Sequence, residues 1–67
     1  MQISVRNKLA GTVKEVRLGA VMAEIIIQVG DIQVVSAITK DAAEDLALKV
    51  GDKVTALVKS TSVMVQK

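Results

Sequence analysis

Sixty-seven residues with nine basic and seven acidic side chains make one small, mildly basic domain of net charge +2, 51% apolar yet without Phe, Trp or Tyr. The absence of Cys and His excludes disulfide staples and thiolate or imidazole metal sites, and removes the commonest general base. No apolar run approaches the roughly 18 residues of a membrane span, no signal-peptide segment opens the chain, and the basic residues form no dense stripe of the nucleic-acid-binding kind.

These features predict a cytoplasmic non-enzyme with neither a membrane nor a nucleic-acid partner. A chain of this size buries only about 60% of its unfolded surface and needs extra support. With disulfides and structural metals excluded, oligomerisation is the remaining source. An apolar content carried by Val, Ile, Leu, Ala and Met, more than one small core can hide, agrees with a second buried surface.

In chain order, residues 3–18 read as a long strand. Ile3, Val5, Leu9, Gly11 and Val13 share one parity, whereas Val16 and Leu18 fall on the other. A one-residue slip is what a β-bulge produces, and Gly11 is a natural place for a bend. Residues 20–29 and 32–39 are strands rich in Ile and Val around Gly30-Asp31, a two-residue hairpin turn. That turn sets Val29 against Ile32, Ile27 against Val34, Ile25 against Ser36 and Ala23 against Ile38 on a core face. The reverse face, with Met22, Ile26, Val35 and Ala37, is half apolar and reads partly as an oligomer contact.

Residues 40–48 form the one helical segment, with Asp41 and Glu44 as a capping box and Ala43, Leu46 and Ala47 sharing a face. Val54, Ala56 and Val58 alternate inward over residues 53–59. Ser60-Thr61-Ser62 is a turn-like break, and Val63-Met64-Val65 a short last strand. The expected architecture is all-β with small α content: a five-stranded, OB-like antiparallel barrel, the helix between strands three and four, over a single domain 1–67.

Two polar clusters stand out. Ser4, Arg6, Asn7 and Lys8 place a hydroxyl, a guanidinium, a carboxamide and an ammonium within five residues, and Lys59-Ser60-Thr61 repeats the theme. Neither contains an acid. Small oxyanions carry only acceptor atoms and call for such donors, and bulges and turns add outward backbone N–H groups. The same lysines and arginine also fit solvated charges that protect sheet edges. Ser36 fits a buried hydroxyl bonded to a nearby carbonyl. A small barrel that binds single-stranded nucleic acid would use aromatic platforms, which this chain lacks.

The stretch Ile3–Val13, with its Ser-Val-Arg-Asn-Lys-Leu-Ala-Gly-Thr-Val, resembles the opening motif of the molbindins, the Mop or TOBE domain family. Gly19–Ile25, Val35–Thr39, Leu46–Asp52 and Ala56–Met64 resemble its later blocks in order, so the match covers essentially the whole chain. The resemblance implies a cytoplasmic protein that binds molybdate or tungstate for storage or homeostasis, without an organic cofactor. Molybdenum would be held as its oxyanion, with no protein atom as a metal ligand. It further implies a hexamer, a trimer of dimers, with the N-terminal strand exchanged and anions bound between subunits. Carried over residue by residue, Ser4, the Val5 backbone and Arg6 line the principal site, joined by Lys59 and Ser60, with Ser36 as a further hydroxyl and Asn7 ordering the loop. Val5 stands where the family has a smaller alanine, and Ser62 where an acid is common. A regulatory module acting with a transporter or transcription factor is the alternative.

Overall fold

The computed structural model describes residues 7–67. Four strands and one helix follow in order: β1 (Asn7–Leu18), β2 (Met22–Val29), β3 (Ile32–Thr39), α1 (Lys40–Asp45) and β4 (Lys53–Val58), then a 3₁₀ turn at Ser60–Ser62. The strands form one antiparallel sheet in the order β3-β2-β1-β4. Each pair hides alternate residues, because side chains point to opposite faces with a period of two.

The β2–β3 hairpin has the expected register, Val29 against Ile32 through Ala23 against Ile38. Gly30 takes φ +57°, the left-handed conformation that a tight turn asks of it. The parity slip in β1 is also present. Val13 pairs with Ile27 but Glu15 with Ile26, so Lys14 is the extra residue of a bulge. The slip therefore lies three positions beyond Gly11, whose own role is a close approach to β2.

Val13, Ala23, Ile25, Ile27 and Ala43 are buried and form the core, with Val16, Val34, Ile38, Leu48, Val54 and Ala56 packed around them. Among the described residues the barrel is not closed. No ladder joins the edge strands β3 and β4, and Val63–Val65 forms no fifth strand. Met64 and Val65 are 93% and 92% exposed. A short apolar alternation specifies a strand only when an edge pairs with it, and among the described residues none does.

The helix is shorter than its sequence pattern. Thr39 rather than Asp41 caps it, its Oγ1 accepting the Ala42 N–H at 3.0 Å. Glu44 lies 3.8 Å from Lys40 Nζ instead of reaching back to the cap. The helix stops after Asp45 because the chain reverses through Ala47, at φ +50°. The Ala47 N–H donates to the Glu44 carbonyl and the Leu48 N–H to the Ala43 carbonyl, the paired bonds of a Schellman motif. The motif turns Leu48 inward onto the core and leaves Leu46 65% exposed, off the face it was expected to share with Ala43.

Alanine is a poor occupant of a left-handed position, whereas glycine adopts it without a Cβ clash. Ala47→Gly is expected to stabilise the fold by about 0.5–1 kcal/mol, the relief of strain exceeding the entropy cost of glycine. A urea midpoint that fell instead would contradict this account of the helix end.

Candidate oxyanion site

Asn7 opens β1 and pairs with Val58, the last residue of β4. Lys59 and Ser60 follow Val58 directly, so the antiparallel ladder brings the start of one polar cluster beside the other. Residues 7 and 59 are remote in sequence, and this junction is the work of the β1–β4 pairing. Ser4, Val5 and Arg6 precede Asn7 and lie outside the described residues.

Lys59 is the N-cap of the 3₁₀ turn, with extended backbone at φ −64° and ψ 135°. Its carbonyl accepts the Ser62 N–H at 2.9 Å, and that of Ser60 accepts the Val63 N–H at 3.3 Å. The turn thus uses backbone acceptors and leaves the Lys59 and Ser60 side chains exposed. Among the described residues Lys59 makes no ion pair; the ion pairs present are Arg17 with Glu15 and Glu24, and Lys40 with Glu44. No Asp or Glu occurs in residues 1–14 or 53–67, so neither strand end carries an acid. The junction is electropositive and rich in donors, as an oxyanion requires.

Ser36 is placed differently. It sits on β3, at the far edge of the sheet, opposite Ile25. It is half-buried rather than buried, and its hydroxyl makes no hydrogen bond among the described residues, contrary to the bonded hydroxyl that its pattern suggested. It lines an apolar cleft of about 290 Å³ that runs between β3 and β4, with Ile25, Ile38, Leu48 and Val58 among its walls. Asn7, Lys59 and Ser60 are therefore gathered at one end of the β1–β4 ladder, while Ser36 belongs to the cleft, whose lining reaches Val58 but not Asn7, Lys59 or Ser60. Periodicity shows which face a residue occupies but not which strands are neighbours, so only the family resemblance, and no pattern in the residues themselves, joined Lys59 and Ser60 to the first cluster.

Among the described residues no group of His, Cys, Asp or Glu could hold a metal ion, and no helix is long and apolar enough to cross a membrane.

The TOBE domain model matches residues 3–65. The chain belongs to the TOBE domain family. It is 46% identical over 66 residues to molybdenum-pterin-binding protein 3 of Clostridium pasteurianum, covering 97% of each chain. The solved structure of a molybdate-binding protein from Sporomusa ovata superposes with a TM-score of 0.95 at 54% identity and covers both chains completely. The chain is also 45% identical over 65 residues to the molybdenum transport protein ModE of Azotobacter vinelandii, where it covers 24% of the longer protein. The family resemblance of the five sequence blocks is thereby borne out. The Sporomusa superposition spans every element described above, so the four-stranded antiparallel sheet with one helix formed by the described residues is an OB-like fold consistent with that neighbour.

Proposed function

We propose that this protein binds molybdate or tungstate in the cytoplasm, for storage or homeostasis, and does no chemistry on the anion. The observation that carries this reading is the junction of Asn7 with Lys59 and Ser60 at an acid-free end of the sheet, in a chain of this family. Arg6, Ser4 and the Val5 backbone adjoin Asn7 in sequence and complete the donor set. Such a site would hold a tetrahedral dianion through charge-assisted hydrogen bonds to its oxygens, leaving the molybdenum without protein ligands. The relatives named for molybdenum-pterin and molybdate binding support this ligand class.

The anion would be shared between subunits of a hexamer. Leu18, Val21, Met22, Val35 and Leu57 are exposed apolar side chains, and the cleft beside Ser36 is unfilled by the described residues. Both features suit a chain whose second buried surface is another copy. In the assembly Ser36 could then meet donors of a neighbouring subunit that it does not meet in its own.

Native mass spectrometry with molybdate, with tungstate and with sulfate as control tests the reading. A hexamer that gains discrete molybdate masses and none from sulfate is the expected result. A monomer, or an oligomer indifferent to both metal oxyanions, would overturn it. The match to ModE favours a second reading, a regulatory module that works with a transporter or transcription factor. That reading predicts assembly without retention of the anion.

A further inference from the structure

A row of polar side chains crosses the whole sheet on the face opposite the core. Gln33 pairs with Gln28, Gln28 with Thr12, and Thr12 with Lys53, one residue from each of the four strands. Beside this row lies an open groove of about 500 Å³, lined by Ala10, Thr12, Gln28, Lys53 and Thr55 together with the glycine backbone at positions 11 and 30. None of these residues stands out in the sequence, since Thr12 and Lys53 are 41 positions apart.

The groove is organised rather than merely polar. Lys53 Nζ donates to Thr12 Oγ1 at 3.3 Å, which draws the ammonium over the row. Gln28 Nε2 donates to the Gly30 carbonyl at 2.7 Å, which fixes the carboxamide at the groove's edge. Asp52, the acid next to Lys53 in sequence, instead accepts the Lys49 N–H at 3.1 Å. No carboxylate lines the groove, and Lys53 makes no ion pair among the described residues. Thr12, opposite Lys53, and Thr55, two residues along β4, bring two hydroxyls to the groove, and the small Ala10 side chain lies opposite Thr55.

We propose that this groove is a second anion site, formed within one subunit, that takes the phosphate group of a small phosphate ester. A single ammonium together with two hydroxyls matches the terminal oxygens of a phosphate. The volume exceeds what a bare tetrahedral anion needs and lies in the range of small-molecule pockets, leaving room for an organic group over Ala10. The site is separate from the junction at Lys59, because six residues of β4 set Lys53 and Lys59 about 20 Å apart. It also lies on the outer face and needs no second copy to supply a donor.

Amide chemical-shift mapping of the full chain tests this, titrated in turn with inorganic phosphate and with glycerol 3-phosphate. Saturable shifts at Thr12, Lys53 and Thr55 are expected, with the ester binding more tightly than the free ion. Lys53→Ala should weaken this binding at least tenfold, and Thr12→Val by a smaller factor, while molybdate-induced shifts at Lys59 and Ser60 persist. Tighter binding of the free ion would replace the ester by inorganic phosphate and overturn the assigned ligand. No saturable shift in the groove, or an unchanged affinity in Lys53→Ala, would overturn the site itself. Neither result bears on the Lys59 junction, whose own failure would show as absent molybdate shifts at Lys59 and Ser60.

Discussion

Lys59→Ala is expected to weaken molybdate binding about 10- to 100-fold while leaving the fold intact. A hydrogen bond to a charged partner contributes about 1.5–3 kcal/mol, and about 1.4 kcal/mol corresponds to a factor of ten. The side chain lies on the surface after β4 and makes no ion pair among the described residues, so its truncation should change stability by no more than about 0.5 kcal/mol. Titration calorimetry with molybdate, paired with urea unfolding, separates the two effects. Wild-type affinity in the variant would remove Lys59 from the site. Loss of affinity together with a large loss of stability would show instead that the residue acts through the fold. Lys59→Arg retains the charge but presents a planar fork in place of a compact ammonium, and is expected to fall between wild type and alanine.

Gly11→Ala is expected to destabilise the subunit by about 3 kcal/mol, near the upper end of ordinary overpacking costs. A Cβ at this position would lie 2.5 Å from the Gln28 carbonyl oxygen, 2.7 Å from Ile27 Cγ2 and 2.9 Å from Val29 Cγ2. Rotamer changes could relieve the two methyl contacts, but the carbonyl oxygen belongs to β2 and moves only with the strand. Because small domains have little stability to spare, that loss would lower the thermal midpoint by roughly 12–24 °C at the usual scaling for this size. The comparison must be made at one protein concentration, since assembly also raises the midpoint. A shift of only a few degrees would mean that β1 and β2 separate easily here, and would remove close approach as the reason for this glycine.

Gly11 also shows how the sequence can identify a position correctly and its physics incompletely. A glycine inside a strand signals either a bend or a close approach, and only the position of β2 distinguishes them. The bulge itself was legible, because the apolar residues change parity between Val13 and Val16. The β2–β3 register was legible too, since a two-residue turn at Gly30-Asp31 leaves one pairing that puts Ile25 and Ile27 on the buried face. The helix end was not. Ala47 is an excellent helix former by propensity, and its left-handed conformation is imposed by the need to return Leu48 to the core. Val63–Val65 forms no strand for a related reason: its alternation matches one, but no strand among the described residues pairs with it.

The candidate site divides along the same line. Local composition marked the donor residues, because Arg, Lys, Ser and Asn without a nearby acid are conspicuous wherever they cluster. Their grouping depended on β1 pairing with β4, a contact between chain segments some fifty residues apart, which periodicity cannot encode. The same pairing brings Thr12 to Lys53 and creates the groove on the outer face. By itself, then, the sequence determined the chemistry available, the face each strand residue occupies and the hairpin register, because these depend on residue type and on a period of two. The tertiary structure decided which strands are neighbours, where the helix stops and which edges remain open, because those outcomes depend on non-local packing that offsets local preference.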